Sequence, residues 1–244
     1  MTAPVFLASA TDLAADVVRL SGAEGRHAAA VRRLETGERV DLTDGAGSVV
    51  EGDVCAVGPD WLEVRVLRRR YVEAPGTRLV VVQALAKGDR GELAVEAMTE
   101  VGVDEILPWA AARSVVRWAG GRGERALERW RSTARESAKQ ARRAWLPVVG
   151  EPVTTASVTG RLAAAELAVV LDPAGPTPLA ELDLPAGGEV VVVVGPEGGI
   201  TDEELSAFAT AGTVACRLGP TVLRTSTAGV AAVAVLLARS GRWS

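Results

Sequence analysis

Residues Val190–Val194 are five consecutive valines, and no other stretch limits the choice of fold so tightly. A strand with one face in water alternates apolar and polar residues, whereas an unbroken β-branched run needs cover on both faces. The run therefore reads as a strand inside a parallel sheet. It feeds directly into Gly195-Pro196-Glu197-Gly198-Gly199-Ile200-Thr201. Thr201 reads as a helix N-cap, and Glu204 three residues on completes a capping box, so the loop is fixed at both ends. Glycines at 195, 198 and 199 let the main chain approach a flat or anionic ligand without side chains in the way. A plain strand-to-helix turn that needs its glycines only for geometry fits these residues equally well.

From residue 77 onward, strand-like and helix-like segments alternate: Leu79–Leu85, Gly91–Val101, Glu105–Leu107, Gly123–Arg143, Leu167–Leu171, Val190–Val194, Asp202–Ala211, Thr213–Leu218 and Thr225–Ser240. Such alternation predicts an α/β domain with a mainly parallel sheet, whose ligands sit beyond the carboxyl ends of the strands. Gly195–Gly199 and Gly219-Pro220-Thr221 both stand at such ends. Residues 1–72 read instead as a small β-rich unit. Its strands are expected at Arg39–Leu42, Val49–Val57 and Trp61–Leu67, separated by the turn signals Asp44-Gly45-Ala46-Gly47 and Gly58-Pro59-Asp60. Ser21 and Glu24 suggest a second capping box for a helix over Ala23–Arg33. Glu73-Ala74-Pro75-Gly76 reads as the linker, which places the two domains at 1–72 and 77–244.

The net charge of −4 conceals an asymmetry. Ten basic residues against three acidic ones give Arg113–Arg143 a charge of +7 and leave −11 for the rest. A local basic block in an acidic chain points to a specific polyanion-binding surface. On the helix expected over Gly123–Arg143, Leu127, Trp130, Ala134, Ala138 and Ala141 form a packing stripe, while Arg131, Arg135, Lys139 and Arg142 form a second. Few acids stand at salt-bridging positions around Arg131, Arg142 and Arg143, so the row is expected to repel itself unless a polyanion binds. Cys55 and Cys216 fit no paired motif, which suggests a reducing cytoplasm, and the longest apolar run, Ala228–Ala238, is too short to cross a bilayer. With His27 the only histidine, no metal site is expected.

The glycine loop is not a P-loop, because no Gly-Lys-Ser/Thr follows, and it lacks the G-x-G-x-x-G dinucleotide spacing. A second element, Leu218-Gly219-Pro220-Thr221-Val222-Leu223-Arg224-Thr225-Ser226-Thr227-Ala228, again places glycine at a strand end. Arg224 falls beside a helix N-terminus, where a cation is unfavourable, so it needs another reason to be there.

At these two elements the chain resembles the RsmE family, ribosomal small-subunit RNA uridine-N3 methyltransferases of the SPOUT superfamily. The resemblance covers nearly the whole chain: His27-x-x-x-Val31-Arg32-Arg33 with Gly37 and Asp44-Gly45, then Lys87-Gly88-Asp89-Arg90, Thr99-Glu100-Val101-Gly102-Val103, Pro108, Arg113-Ser114, Glu128-Arg129-Trp130, Gln140, Arg143 and Pro147 follow the family pattern in order. It implies a SPOUT-type, trefoil-knotted, mainly parallel α/β domain preceded by a small PUA-like β-barrel domain. It further implies a homodimer that binds S-adenosylmethionine and acts on 16S RNA or the assembled small subunit, without membrane or metal. Carried over by residue, the cofactor site comprises Leu171, Pro173, Gly195, Pro196, Glu197, Gly198, Gly199, Leu218, Gly219, Leu223, Arg224, Thr225 and Ala228. The RNA surface would use His27, Arg32, Arg33, Arg113, Arg131, Arg135, Lys139 and Arg143, and the apolar helix Thr225–Ser240 would lie at or near the dimer interface.

A uridine N3 is a poor nucleophile until its proton leaves, so the site must stabilise an anion spread over N3 and its flanking carbonyls. Arg224 is the expected catalytic residue on that ground. The family commonly has a glutamate between the two threonines where this chain has Ser226, so the general base stays unassigned, with Glu197, Glu100 and water as the options. Two other readings remain: a SPOUT methyltransferase with a different RNA target, and a non-catalytic RNA-binding or ribosome-assembly factor.

Overall fold

The computed structural model describes residues 3–243. Its chain contacts form two units, one of residues up to Ala74 together with Ala138–Leu146, the other of Pro75–Ser137 and the residues from Pro147 on. In the first unit, β1 (Val5–Leu7), β2 (Val17–Leu20), β3 (Arg39–Thr43), β4 (Ser48–Val57) and β5 (Leu62–Tyr71) make one sheet in the order β1-β3-β4-β5-β2. Alternation along β2, β3 and β4 sends Val18, Leu20, Val40, Leu42, Val50 and Val54 into one core with Phe6, Leu62 and Val64.

The short helices α1 (Ala10–Leu13) and α2 (Gly22–Arg26) complete this unit, and a turn of π-helix at His27–Val31 follows α2 directly. The single helix expected over Ala23–Arg33 is thus corrected to a short helix plus a widened turn, ending where Arg33 adopts a left-handed φ of 54°. The Ser21–Glu24 box does not form, since Ser21 makes no side-chain cap bond. Glu24 is held elsewhere, accepting from the Leu7 amide at 3.1 Å and from Lys139 Nζ at 2.9 Å. Ala138–Leu146 joins this unit through that Lys139–Glu24 pair, an Arg142–Asp41 pair, the Gly47 amide on the Ala144 carbonyl at 3.0 Å and the Trp145 indole on the Val72 carbonyl at 2.8 Å. This segment lies within the 77–244 range expected for the second domain, yet its contacts place it in the first unit.

The second unit is built on seven strands: β6 (Thr77–Ala84), β7 (Glu105–Trp109), β8 (Val148–Val149), β9 (Leu167–Leu171), β10 (Thr177–Pro178), β11 (Gly188–Val194) and β12 (Val214–Arg217). Their order is β10-β12-β9-β11-β6-β7-β8, with every neighbouring pair parallel. The valine run is β11, paired on both sides. Val190, Val192 and Val194 enter a core with Met98 of α3 (Arg90–Val101), Trp130 of α4 (Gly120–Gln140) and Leu236 of α7 (Thr225–Arg239). Val191 and Val193 face the opposite core with Val158 and Leu162 of α5 (Thr155–Ala164) and Phe208 of α6 (Asp202–Thr210). Each buried valine contributes about 1.5–3 kcal/mol, so this strand alone fixes helices on both faces.

The main parallel strands and helices fall where the periodicity puts them, whereas β1, β2, β8, β10 and α5 were not expected. β8 and β10 have two residues each, too few to show a period. At the amino-terminal edge of the sheet Arg78 and Arg161 share Glu105 and Glu189, at distances from 2.6 to 3.3 Å. The carboxyl-terminal edge, by contrast, is left to the loops.

The contact between α3 and α4 is tight at Gly91, where an added Cβ would stand 2.7 Å from the Trp130 ring, itself wedged edge-on against Trp118 at 5.0 Å. Gly91→Ala is expected to destabilise the second unit by about 1–3 kcal/mol, lowering the thermal midpoint by about 2–4 °C per kcal/mol in calorimetry.

Candidate functional site

Three adjacent strands, β12, β9 and β11, end at the same edge of the sheet, and the loops that leave them converge with the start of α7. They enclose a cavity of about 590 Å³, within the roughly 300–1,000 Å³ usual for small-molecule sites. Leu171, Asp172 and Pro173 come from the end of β9, Val194 to Glu197 with Gly199 and Ile200 from the end of β11, and Leu218, Gly219 and Thr221 to Arg224 from the loop before α7. Leu205, Cys216, Thr225 and Ala228 complete the wall, with Arg90 at the start of α3. Aliphatic walls with a few charged groups suit a ligand that has a flat apolar part and a polar tail.

The loops after β9 and β11 are held by main-chain turns and by a few side chains. The Gly199 amide donates to the Pro196 carbonyl at 2.9 Å, and Gly199 needs its positive φ of 75° to close that turn. The Thr225 hydroxyl donates to the Gly195 carbonyl at 3.1 Å, while Gln83 Nε2 donates to the Thr225 carbonyl at 3.2 Å. The first turn of α7 is thereby tied to the glycine loop. After β9, Asp172 donates its amide to the Cys216 carbonyl at 2.9 Å and accepts the Ala174 amide on Oδ1 at 2.8 Å. Glu197 is bound to Arg90 at 3.2 Å, and Arg90 was missed as a site residue although it closes the Lys87–Arg90 motif.

Of the residues expected to hold a cofactor, all but Gly198 line this cavity. Gly198 turns the other way: an added Cβ would lie 3.1 Å from Arg113 Cβ. Arg224 is the N-cap of α7 and exposed, and among the described residues its guanidinium makes no hydrogen bond or ion pair. Ser226 is buried in the helix, and Glu100 lies exposed on α3 away from the cavity wall. Besides Arg90, the unexpected wall residues are Asp172, Val194, Ile200, Leu205, Cys216, Thr221 and Val222. Most flank positions already named, but Leu205 depends on how α6 packs.

The residues expected to face RNA divide. Arg113 is exposed and donates to the Gly198 and Ile200 carbonyls at 3.3 and 3.5 Å, and it lies near Glu203. The Glu203 carboxyl is held below its usual range by hydrogen bonds from its own amide and from Thr201, with Arg113 adding to the effect. Arg135 is exposed on α4. Arg32 and Arg33 are exposed in the first unit, where His27 is partly buried edge-on to Phe6 at 5.8 Å. The expectation of a row of unpaired cations is corrected. Arg131 is held by Glu151 and Glu128 at 2.7 and 2.9 Å, and these hydrogen bonds raise its pKa. Lys139 is buried against Glu24, Arg142 pairs with Asp41, and Arg143 is partly buried with partners of its own. Among the described residues no group of histidine, cysteine and carboxylates is arranged to hold a metal ion, and no helix is long and apolar enough to cross a membrane.

Comparison with known proteins matches residues 73–237 to the RNA methyltransferase domain and residues 20–67 to the RNA methyltransferase PUA domain. The ribosomal RNA small subunit methyltransferase E of Mycobacterium bovis is 41% identical over all of this chain and 94% of its own length. That of Bacillus subtilis is 28% identical over 89% of this chain and 88% of its own. Among solved structures, a methyltransferase of Legionella pneumophila with bound SAM superposes with a TM-score of 0.88 at 27% identity, over 98% of both chains. The ribosomal RNA small subunit methyltransferase E of Neisseria gonorrhoeae, bound to S-adenosyl methionine, gives 0.86 at 25%, also over 98% of both.

The two thiols provide a test of the cavity wall. Cys216 is fully buried and burial pushes its thiol pKa up, whereas Cys55 is partly exposed. A thiol reagent at pH 8 is expected to label Cys55 first and Cys216 only on unfolding; equal native rates would contradict this wall.

Proposed function

The chain belongs to the RsmE family of ribosomal RNA small-subunit methyltransferases, and from that premise we propose that it methylates N3 of a uridine in 16S RNA, with Arg224 as the catalytic residue. It is an S-adenosylmethionine-dependent ribosomal RNA methyltransferase. The observation that carries the finer reading is the cavity itself, which presents an arginine with no hydrogen-bond or ion-pair partner among the described residues, beside aliphatic walls and a glycine loop.

The donor set fits the cofactor. Apolar walls at Leu171, Leu218, Leu223 and Ala228 suit a flat base, and the main chain of Gly195–Gly199 with Asp172 and Thr221 offers hydrogen-bonding groups for the polar parts. When bound, S-adenosylmethionine supplies the methyl group as an electrophile. Arg224 faces the negative charge that develops on the uracil ring as N3 loses its proton, and it needs no rearrangement to do so because no anion among the described residues holds it. Glu197 is engaged by Arg90 and the Lys87 amide at 3.2 and 3.4 Å, and Ser226 is buried, so the proton passes to water in this reading.

Arg113 and Arg135, exposed in the second unit, and Arg32 and Arg33 in the first, are the phosphate contacts of this reading. With a ribosomal RNA as substrate the protein works in the cytoplasm. It acts as a homodimer: Val115, Val222 and Leu223 are exposed near the site loops, and α7 keeps Ala231, Ala234 and Val235 only partly covered.

Transfer of labelled methyl to purified small subunits and to naked RNA is expected for the wild type, and Arg224→Ala is expected to lower the single-turnover rate by about 10²–10³-fold. No transfer to either substrate, under conditions where calorimetry shows S-adenosylmethionine binding, would leave a non-catalytic RNA-binding factor as the reading. Sedimentation velocity at micromolar concentration is expected to show a dimer; a monomer throughout would remove that assignment.

A further inference from the structure

A buried carboxylate outside the cavity joins the two loops on which the proposed reaction depends. Glu204 stands at the third position of α6 and is only 5% exposed. Its Oε2 accepts the Thr201 amide at 3.1 Å, the reciprocal half of the capping box. Its Oε1 accepts the Ala112 amide at 2.8 Å and the Thr155 hydroxyl at 3.1 Å. Thr155 Oγ1 in turn accepts the Trp109 indole N–H at 3.2 Å, which leaves its own proton to point at Glu204. A capping box requires only one carboxylate oxygen. Here the other reaches the main chain of a residue 92 positions away.

That residue precedes Arg113, whose guanidinium donates to the carbonyls of Gly198 and Ile200. The Arg113 loop and the glycine loop are thus tied twice, once through Arg113 and once through Glu204. Arg117 stiffens the same loop by donating to the carbonyls of Ala111, Ala112 and Ser114 at 2.8–2.9 Å. We propose that Glu204 is a positioning residue for methyl transfer: it fixes the main chain before Arg113 against Gly195–Thr201, so that the arginine meets RNA at a set place relative to the methyl donor. The inference rests on reading Gly195–Gly199 as the donor loop and Arg113 as an RNA contact. Glutamine keeps the shape but not the chemistry. Its amide nitrogen must face either the Thr201 or the Ala112 N–H, donor against donor, so the joint that makes the two segments hold each other is broken whichever way it turns.

Hydrogen exchange on the ligand-free protein tests the tie without any turnover. In Glu204→Gln, amides in residues 111–117 and in residues 196–201 are both expected to exchange about ten- to hundredfold faster, with β11 unchanged. Faster exchange in 196–201 alone would make Glu204 a helix cap and overturn the proposal. If Glu204→Gln does not fold, Thr155→Val serves in its place, with about two- to tenfold faster exchange expected in both segments. Single-turnover rates of Glu204→Gln, Arg113→Ala and the double variant then ask whether one residue acts through the other. The double variant is expected to be no slower than Arg113→Ala; losses that multiply would overturn the proposal. A wild type that transfers no methyl defeats the proposed function instead, while hydrogen exchange still decides the tie between the loops.

Discussion

Parallel pairing of β11 on both edges is the constraint from which the second unit follows. A parallel strand cannot return by a tight turn, so each neighbour must be reached through a crossover, and the crossovers supply the helices that both faces of the valine run require. The same geometry brings all carboxyl ends to one edge. Backbone groups there have no further strand to bond with; the loops after β9 and β11 satisfy some of them with short internal turns, and together with the loop after β12 they leave a cavity between.

Charge is distributed between the two edges in opposite ways. At the amino-terminal edge Arg78, Arg161, Glu105 and Glu189 satisfy one another. At the carboxyl-terminal edge Arg224 has no anion partner among the described residues, and the Arg90–Glu197 pair lies partly open to solvent. A cation kept without a partner beside an apolar wall has little value for stability, and its use lies in stabilising charge that arrives with a ligand. Glu204 acts differently again, since a carboxylate with three donors from separate segments is a rigid joint.

Two capping-box signatures were legible in the chain, and only one formed. Thr201 with Glu204 closes reciprocally, whereas Glu24 is taken by the Leu7 amide and by Lys139, which follows it by 115 positions. The motif is local, but the competition for its carboxylate is not. Arg131 shows the same limit. One of its acids, Glu128, is three residues away on the same helix, while Glu151 arrives from the next segment. The helix itself supplies one acid to Arg131 and the folded chain the other, so the expected shortage does not hold there.

Resemblance to a known family supplied twelve of the twenty cavity-wall residues, and the sequence by itself determined the buried central strand, the parallel α/β class of the second unit and the glycine loop with its cap. Those features depend on side-chain period and on residues within a few positions of one another, which a linear chain displays. Only the tertiary structure decided that Gly198 turns to Arg113 rather than to the cavity, that Arg90 joins the wall, that Lys139 is buried with Glu24, and that Glu204 holds the Arg113 loop. Each of these is a pairing of polar or charged groups far apart along the chain. Such pairings are set by which segments the sheet brings together, and the energy of a hydrogen bond carries no record of sequence separation.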